Sequence, residues 1–175
     1  GMANTFLAAQ GHDLGASLYE PVRVDLARQI LARAKERGME VLLPRDLVIA
    51  DDLNNPTRVE TVPADRIPAG TKALDIGPET RHAFAEAIGR AKTLFWNGPL
   101  GVFEKPPFDA GTREVAQALA KCPGFSVIGG GETVAAANQA GVADRISHVS
   151  TGGGASLEFL AGRTLPGVAV LEKKP

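Results

Sequence analysis

The chain has 175 residues, with 19 Lys+Arg against 20 Asp+Glu, three His and one Cys. That length suits one domain with a real core, and a net charge of −1 argues against a nucleic-acid-binding face. A lone Cys122 excludes an internal disulfide and a Cys-based zinc cage, and no apolar run approaches the ~20 residues that cross a bilayer.

Apolar runs and helical patterns alternate along the chain. Val22, Leu26, Ile30 and Ala34 recur every fourth residue, predicting a helix with one apolar stripe that Gly38 ends. The run Glu40-Val41-Leu42-Leu43 stops at Pro44, and Leu47-Val48-Ile49-Ala50 follows. The segment from Asp51 to Gly70, polar and holding Pro56, Pro63 and Pro68, reads as a long irregular connection. Leu74-Asp75-Ile76 leads through Gly77 to Pro78, which suits the first turn of a helix. In that helix Phe84, Ile88 and Ala91 share a face, and Glu86 is placed to pair with Arg90. Thr93-Leu94-Phe95-Trp96 reads as a strand, and a helix from about Ala110 turns Val115 and Leu119 inward. Ser126-Val127-Ile128 is the next strand, followed by a helix from Thr133 to Gln139 closed by Gly141. Ser147 to Ser150 then runs into a short helix from Ala155 to Leu160, and Lys173-Lys174-Pro175 reads as a solvated end. Strands separated by helices of this length predict βαβ units: an α/β, Rossmann-like three-layer parallel sheet with helices on both faces. No repeat, low-complexity tract or second domain boundary interrupts residues 1–175.

In parallel α/β sheets, ligands bind beyond the carboxyl ends of the strands. Three strands here end in loops suited to that role: Asn97 to Gly101, Gly129 to Gly131 and Gly152 to Gly154. The last two open directly into helices. Glycine lets backbone approach a ligand, and a helix N-terminus offers unpaired N–H groups to an anion. A single such loop reads equally well as a tight turn; three at one sheet edge favour a phosphate cradle. The Walker A pattern is absent, and Gly129-Gly130-Gly131-Glu132-Thr133-Val134 lacks the last glycine of the dinucleotide fingerprint. The cradle loops hold no Lys or Arg, so a polyphosphate there needs a metal ion and outside cations. Glu132 is a carboxylate in place for Mg²⁺; on position alone it reads equally as an acidic residue favoured by the helix dipole.

At these loops the sequence resembles phosphoglycerate kinase. The matching stretches are Trp96-Asn97-Gly98-Pro99-Leu100-Gly101-Val102-Phe103-Glu104, Gly129-Gly130-Gly131-Glu132-Thr133, and Ser147 through Glu158 with its Thr151-Gly152-Gly153-Gly154 core. Leu74-Asp75-Ile76-Gly77-Pro78-Glu79-Thr80 and the opening Gly1-Met2-Ala3-Asn4-Thr5-Phe6 fit as well. The resemblance covers the later part of the family's C-terminal, nucleotide-binding domain. It implies that Glu104 hydrogen-bonds the ribose, that Asn97 and Pro99 line the nucleotide site, and that Gly130, Gly131 and Thr133 hold phosphates. It places Glu132 at the metal position, where the family more often has Asp, and Ala73 where many members have a glycine against the nucleotide. Gly152 to Gly154, Gly153 at their centre, and Gly131 would direct amides at the phosphoryl group in flight.

The implied family reaction is reversible phosphoryl transfer between 1,3-bisphosphoglycerate and ADP, with Mg²⁺ and ADP or ATP bound, in the cytoplasm. The family's 3-phosphoglycerate-binding domain and the start of its nucleotide domain, with a Gly-Ala-Lys segment, have no counterpart in these residues. The expectation is therefore a kinase fragment with part of the Mg-nucleotide site and little turnover alone. Alternatives are a catalytically inert nucleotide-binding module, or a structural remnant that self-associates through a truncated sheet edge.

Other residues carry less. His12, His82 and His148 match no metal spacing, and His148 reads as a hydrogen-bonded structural histidine. Trp96 reads as packing, Cys122 has no activating neighbour in sequence, and Asp51, Asp52, Asn54 and Asn55 read as a solvated turn.

Overall fold

The computed structural model describes residues 1–172. The predicted solvated end at Lys173-Lys174-Pro175 lies outside the described residues. The chain forms two compact units: Gly1–Glu86 with Leu100–Val115, and Ala87–Pro99 with the chain from Ala116 onward.

The first unit opens with α1 (Met2–Ala9), followed by a single 3-10 turn at Pro21–Arg23 and α2 (Val24–Glu36). The predicted helix is present, but its stripe faces otherwise than expected. Ala27 and Ala34 are buried, whereas Val22 is 89% and Leu26 45% exposed. The small alanines let α2 lie close to α1, and the larger apolar side chains are left toward solvent. Past Gly38, whose φ of +63° suits a helix end, Glu40–Leu43 forms no strand. Its backbone groups find no partner among the described residues, and a strand exists only as one side of a ladder.

Three strands follow: β1 (Asp46–Ala50), β2 (Val59–Pro63) and β3 (Lys72–Ile76). They form an antiparallel sheet in the order β2-β1-β3. The polar stretch from Asp51 to Gly70 thus holds a strand that its composition conceals. β2 is a largely exposed edge strand, and its sequence Val-Glu-Thr-Val-Pro lacks a continuous apolar run. Leu47, Ile49 and Ile76 of this sheet bury against Leu7, Leu14, Ala64 and Ile67. A second cluster joins Ala50 and Leu74 to Phe108, which is fully buried.

Helices α3 (Pro78–Arg90) and α4 (Ala110–Lys121) begin in the first unit. Asp46 of β1 caps α3: its carboxylate accepts from Glu79 N at 3.0 Å and Thr80 N at 2.8 Å. Glu86 pairs with His82 at 3.5 Å, one turn back, rather than with the predicted Arg90.

The second unit holds β4 (Thr93–Asn97), β5 (Phe125–Gly129) and β6 (His148–Ser150), parallel and in that order. Here the expected α/β pattern with a parallel sheet is realised, each crossover containing a helix: α4, then α5 (Gly131–Gln139). Val115 and Leu119 are buried as predicted. Ser126 and Ser147 exchange backbone-to-hydroxyl bonds of 3.1 Å each and tie the start of β5 to the start of β6. α6 (Gly153–Leu160) and α7 (Pro166–Glu172) complete the described chain.

Candidate functional site

The parallel register brings the ends of three strands into line. Asn97 of β4 stands opposite Gly129 of β5, and Gly129 stands opposite Ser150 of β6. Each strand therefore stops at the same level, and the loops leaving them meet. Asn97 Nδ2 donates to Gly129 O at 2.8 Å, and Gly130 N donates to Ser150 O at 3.0 Å.

Two helices start from this line. Gly130 precedes α5 with φ +94°, in the region that favours glycine, and Gly152 precedes α6. Neither helix has a side-chain cap. The first α5 backbone bond at this end is Val134 N to Gly130 O, which leaves the N–H groups of Gly131, Glu132 and Thr133 without acceptors among the described residues. The two loops touch through bare backbone: a Cβ on Gly153 would sit 2.8 Å from Gly130 Cα and 3.3 Å from Asn97 Nδ2. Any side chain there would fill the space between two helix N-termini. The dipoles and free amides favour an anion, and the loops supply no cationic side chain.

The sequence-derived residues divide between the units. Asn97, Pro99, Gly130, Gly131, Glu132, Thr133 and Gly153 belong to the second; Ala73 and Glu104 belong to the first. Within the second unit Asn97, Gly130, Thr133 and Gly153 are brought together. Thr133 is 1% exposed, and its Oγ1 accepts from Gly98 N at 2.8 Å. It ties the β4 loop to α5, a role nothing in the sequence announced. Glu132 is exposed in the first turn of α5, and among the described residues no group of three His, Cys, Asp or Glu gathers to hold a metal.

In the first unit, Ala73 is half-buried in β3, and its N–H is held by Ser17 Oγ at 2.8 Å. Glu104 is exposed between the buried Phe103 and the turn in which Phe108 N bonds Lys105 O.

The residues set aside on sequence behave mostly as read. Trp96 is buried and also donates Nε1 to Gly98 O at 2.8 Å, so it braces the β4 loop as well as packing. Cys122 is half-buried with its thiol on Ile88 O at 3.2 Å. Asp51 and Asp52 organise their turn by accepting backbone N–H groups; Asp51, also bonded to Thr57, is held down at about 2. His148 is exposed, and its ring makes no hydrogen bond among the described residues.

The profile of the family described as phosphoglycerate kinase matches residues 1–163. The chain belongs to the phosphoglycerate kinase family. It is 57% identical over 171 residues to the phosphoglycerate kinase of Roseiflexus castenholzii, covering 98% of this chain and 43% of that one. Against the phosphoglycerate kinase of Chloroflexus aurantiacus it is 54% identical over 175 residues, covering 98% and 44%. Among solved structures, phosphoglycerate kinase from Coxiella burnetii superimposes with a TM-score of 0.93 at 42% identity, covering 98% of this chain and 44% of that one. The Pyrococcus horikoshii kinase superimposes with a TM-score of 0.71 at 32% identity, covering 97% and 43%. The chain thus spans less than half the length of the relatives it matches.

Proposed function

We propose that this chain supplies part of the Mg-ADP/Mg-ATP site of a phosphoglycerate kinase, the enzyme of reversible phosphoryl transfer between 1,3-bisphosphoglycerate and ADP in cytoplasmic glycolysis. The observation that carries the proposal is the backbone contact of Gly130 with Gly153, which sets the unpaired amides at the start of α5 beside the start of α6. Phosphoryl transfer asks a protein for positioning and for charge stabilisation, and amides aimed from helix N-termini supply both. Gly131 and Gly153 serve the transferring group, Gly131 through its N–H and Gly153 through bare backbone; Thr133 offers its N–H to the nucleotide phosphates, Gly130, whose N–H bonds Ser150 O, lets backbone approach them, and Asn97 and Pro99 line the same loops. Glu104 accepts hydrogen bonds from the ribose hydroxyls, and Ala73 contributes backbone.

Glu132 fits a Mg²⁺ ligand of the kind that brings one carboxylate and leaves other positions to phosphate oxygens and water. When bound, the ion would neutralise phosphate charge that these loops, lacking Lys and Arg, leave uncompensated. The chain spans 43% of the length of a relative and its strand-end loops hold no Lys or Arg, so turnover by these 175 residues alone is expected to be negligible. Among the described residues no helix is long and apolar enough to cross a membrane.

The test is thermal unfolding with and without millimolar Mg-ADP, for wild type and Glu104→Ala. A ligand that binds only the folded chain stabilises it by about 2.7 kcal/mol at a hundred times its Kd. The expected result is a clear rise in the wild-type midpoint, absent without Mg²⁺ and largely lost in Glu104→Ala. No rise in wild type would sink the reading.

A second reading, self-association, is favoured by the unpaired Glu40–Leu43 backbone together with the exposed Leu18, Val22 and Leu26 of the same unit. Its test is the oligomeric state in solution.

A further inference from the structure

Glu104 is placed by a loop, and that loop is fastened at both ends by two buried polar side chains. At its start, Leu100 N donates to Thr112 Oγ1 at 2.7 Å while the same hydroxyl donates to Leu100 O at 2.6 Å. Two residues on, Val102 N donates to Leu74 O at 2.9 Å, joining the loop to β3. At its end, Gly111 N in the first turn of α4 donates to Asp75 Oδ2 at 2.8 Å, while Asp75 Oδ1 accepts from Ile76 N at 2.8 Å.

The carboxylate is enclosed by the loop it holds. Asp75 is 3% exposed. A Cβ on Gly101 would lie 2.5 Å from Asp75 Oδ1, and a Cβ on Gly111 would lie 2.3 Å from the same atom. Gly101 also has φ +63°. Two glycines, one at each side of the Glu104 loop, therefore press backbone onto one buried acid. Burial pushes that acid up to about 6, against the Ile76 and Gly111 N–H groups and the charge of Arg81, which favour its ionised form, while Asp109 opposes it. A buried acid of this kind is costly unless it holds something in place.

We propose that Asp75 and Thr112 are positioning residues for nucleotide binding: together they clamp the ends of the Leu100–Gly111 loop and so set where Glu104 presents its carboxylate. This rests on the nucleotide reading above and adds to it the residues that act through Glu104 without touching ligand. Asp46 provides an internal control, because it caps α3 in the same unit by the same chemistry and makes no bond to the Glu104 loop.

The experiment measures amide hydrogen exchange and Mg-ADP affinity on the full chain for Asp75→Asn, Thr112→Val, Asp46→Asn, Glu104→Ala and the Asp75→Asn/Glu104→Ala double variant. Asparagine turns one of the two acceptors into a donor, so one clasp is lost, with an effect of about tenfold or more. The expected result is exchange about tenfold faster across residues 100–111 in Asp75→Asn and in Thr112→Val, with β1 and α2 unchanged. Asp46→Asn leaves that loop at the wild-type rate. Mg-ADP binds about tenfold more weakly to Asp75→Asn, and this loss disappears when Glu104 is already Ala. The proposal is overturned by unchanged loop exchange in both clamp variants, by acceleration spread evenly over the chain, or by an Asp75→Asn affinity loss that persists without Glu104. Should Asp75→Asn not fold, Thr112→Val decides by the same exchange criterion. Wild type that binds no Mg-ADP overturns the nucleotide reading, and the exchange pattern then decides the clamp by itself.

Discussion

Asp75 carries a measurable signature of its surroundings. Its pKa stands at about 6, above the ordinary 3.8, chiefly because it is buried. Between about pH 4 and about pH 6 the folded chain therefore retains a proton that the unfolded chain has released. Stability from this residue is present below the unfolded value and lost as pH rises through the folded one. The loss is on the order of 2–3 kcal/mol, since each pKa unit is worth about 1.4 kcal/mol. Denaturant unfolding at pH 4.5 and pH 7.5 should show wild type losing that much more than Asp75→Asn over the same interval. Equal pH dependence in the two proteins would mean that Asp75 titrates normally. None of this was legible in the triplet Leu74-Asp75-Ile76, which reads only as the run leading through Gly77 to Pro78. Its partner Gly111 lies 36 positions away, and only folding places the two together. The glycines were legible in another sense: Gly129-Gly130-Gly131 and Gly152-Gly153-Gly154 marked where backbone leaves a strand and opens a helix, because residues without Cβ permit that turn and close approach.

At the scale of elements, the helix starts show two solutions to the same problem. The first N–H groups of any α-helix lack partners within it. α3 meets this with a carboxylate borrowed from β1: Asp46 reaches Glu79 N and Thr80 N, and Thr80 Oγ1 donates back to Asp46 Oδ1 at 2.6 Å. α5 leaves the N–H groups of Gly131, Glu132 and Thr133 open among the described residues, and α6 has Gly153 N turned back to Thr151 O at 3.2 Å; neither helix, preceded by Gly130 and Gly152, has a side-chain cap. Asp46→Ala should cost about 2–4 kcal/mol in equilibrium unfolding, the loss of a charged cap and of a buried network, without changing the response to Mg-ADP per folded molecule. A change below a few tenths would show that water replaces the cap. The elements themselves were largely readable: α2, α3, α4, β4 and β5 lie where periodicity and breakers put them. β2 was missed because an exposed edge strand needs no apolar run, and Glu40–Leu43 was not realised as a strand because a strand needs a neighbour as well as a composition.

For the molecule as a whole, the chain presents large apolar side chains outward at Leu18, Val22, Leu26 and Ile30 of the first unit. Helices of globular proteins ordinarily turn such a stripe inward, and the unpaired backbone of Glu40–Leu43 that follows offers groups for pairing. Under the self-association reading, sedimentation velocity should show a concentration-dependent dimer or larger species, returned to monomer by Val22→Lys with Leu26→Glu. A monomer at all concentrations would rule that reading out.

Family, the parallel α/β pattern of the second unit and the glycine loops at its strand ends were determined by the sequence alone. These are carried by local signals: the period of apolar residues, glycine after strands, and long contiguous motifs. The tertiary structure alone decided which polar groups meet. Asp46 with α3, Asp75 with α4, Thr133 with Gly98 and Gly153 with Gly130 are contacts between residues that no local pattern links. It also decided which face of α2 is buried, because an amphipathic period shows that a helix has two faces and only the neighbours present select the one that turns inward.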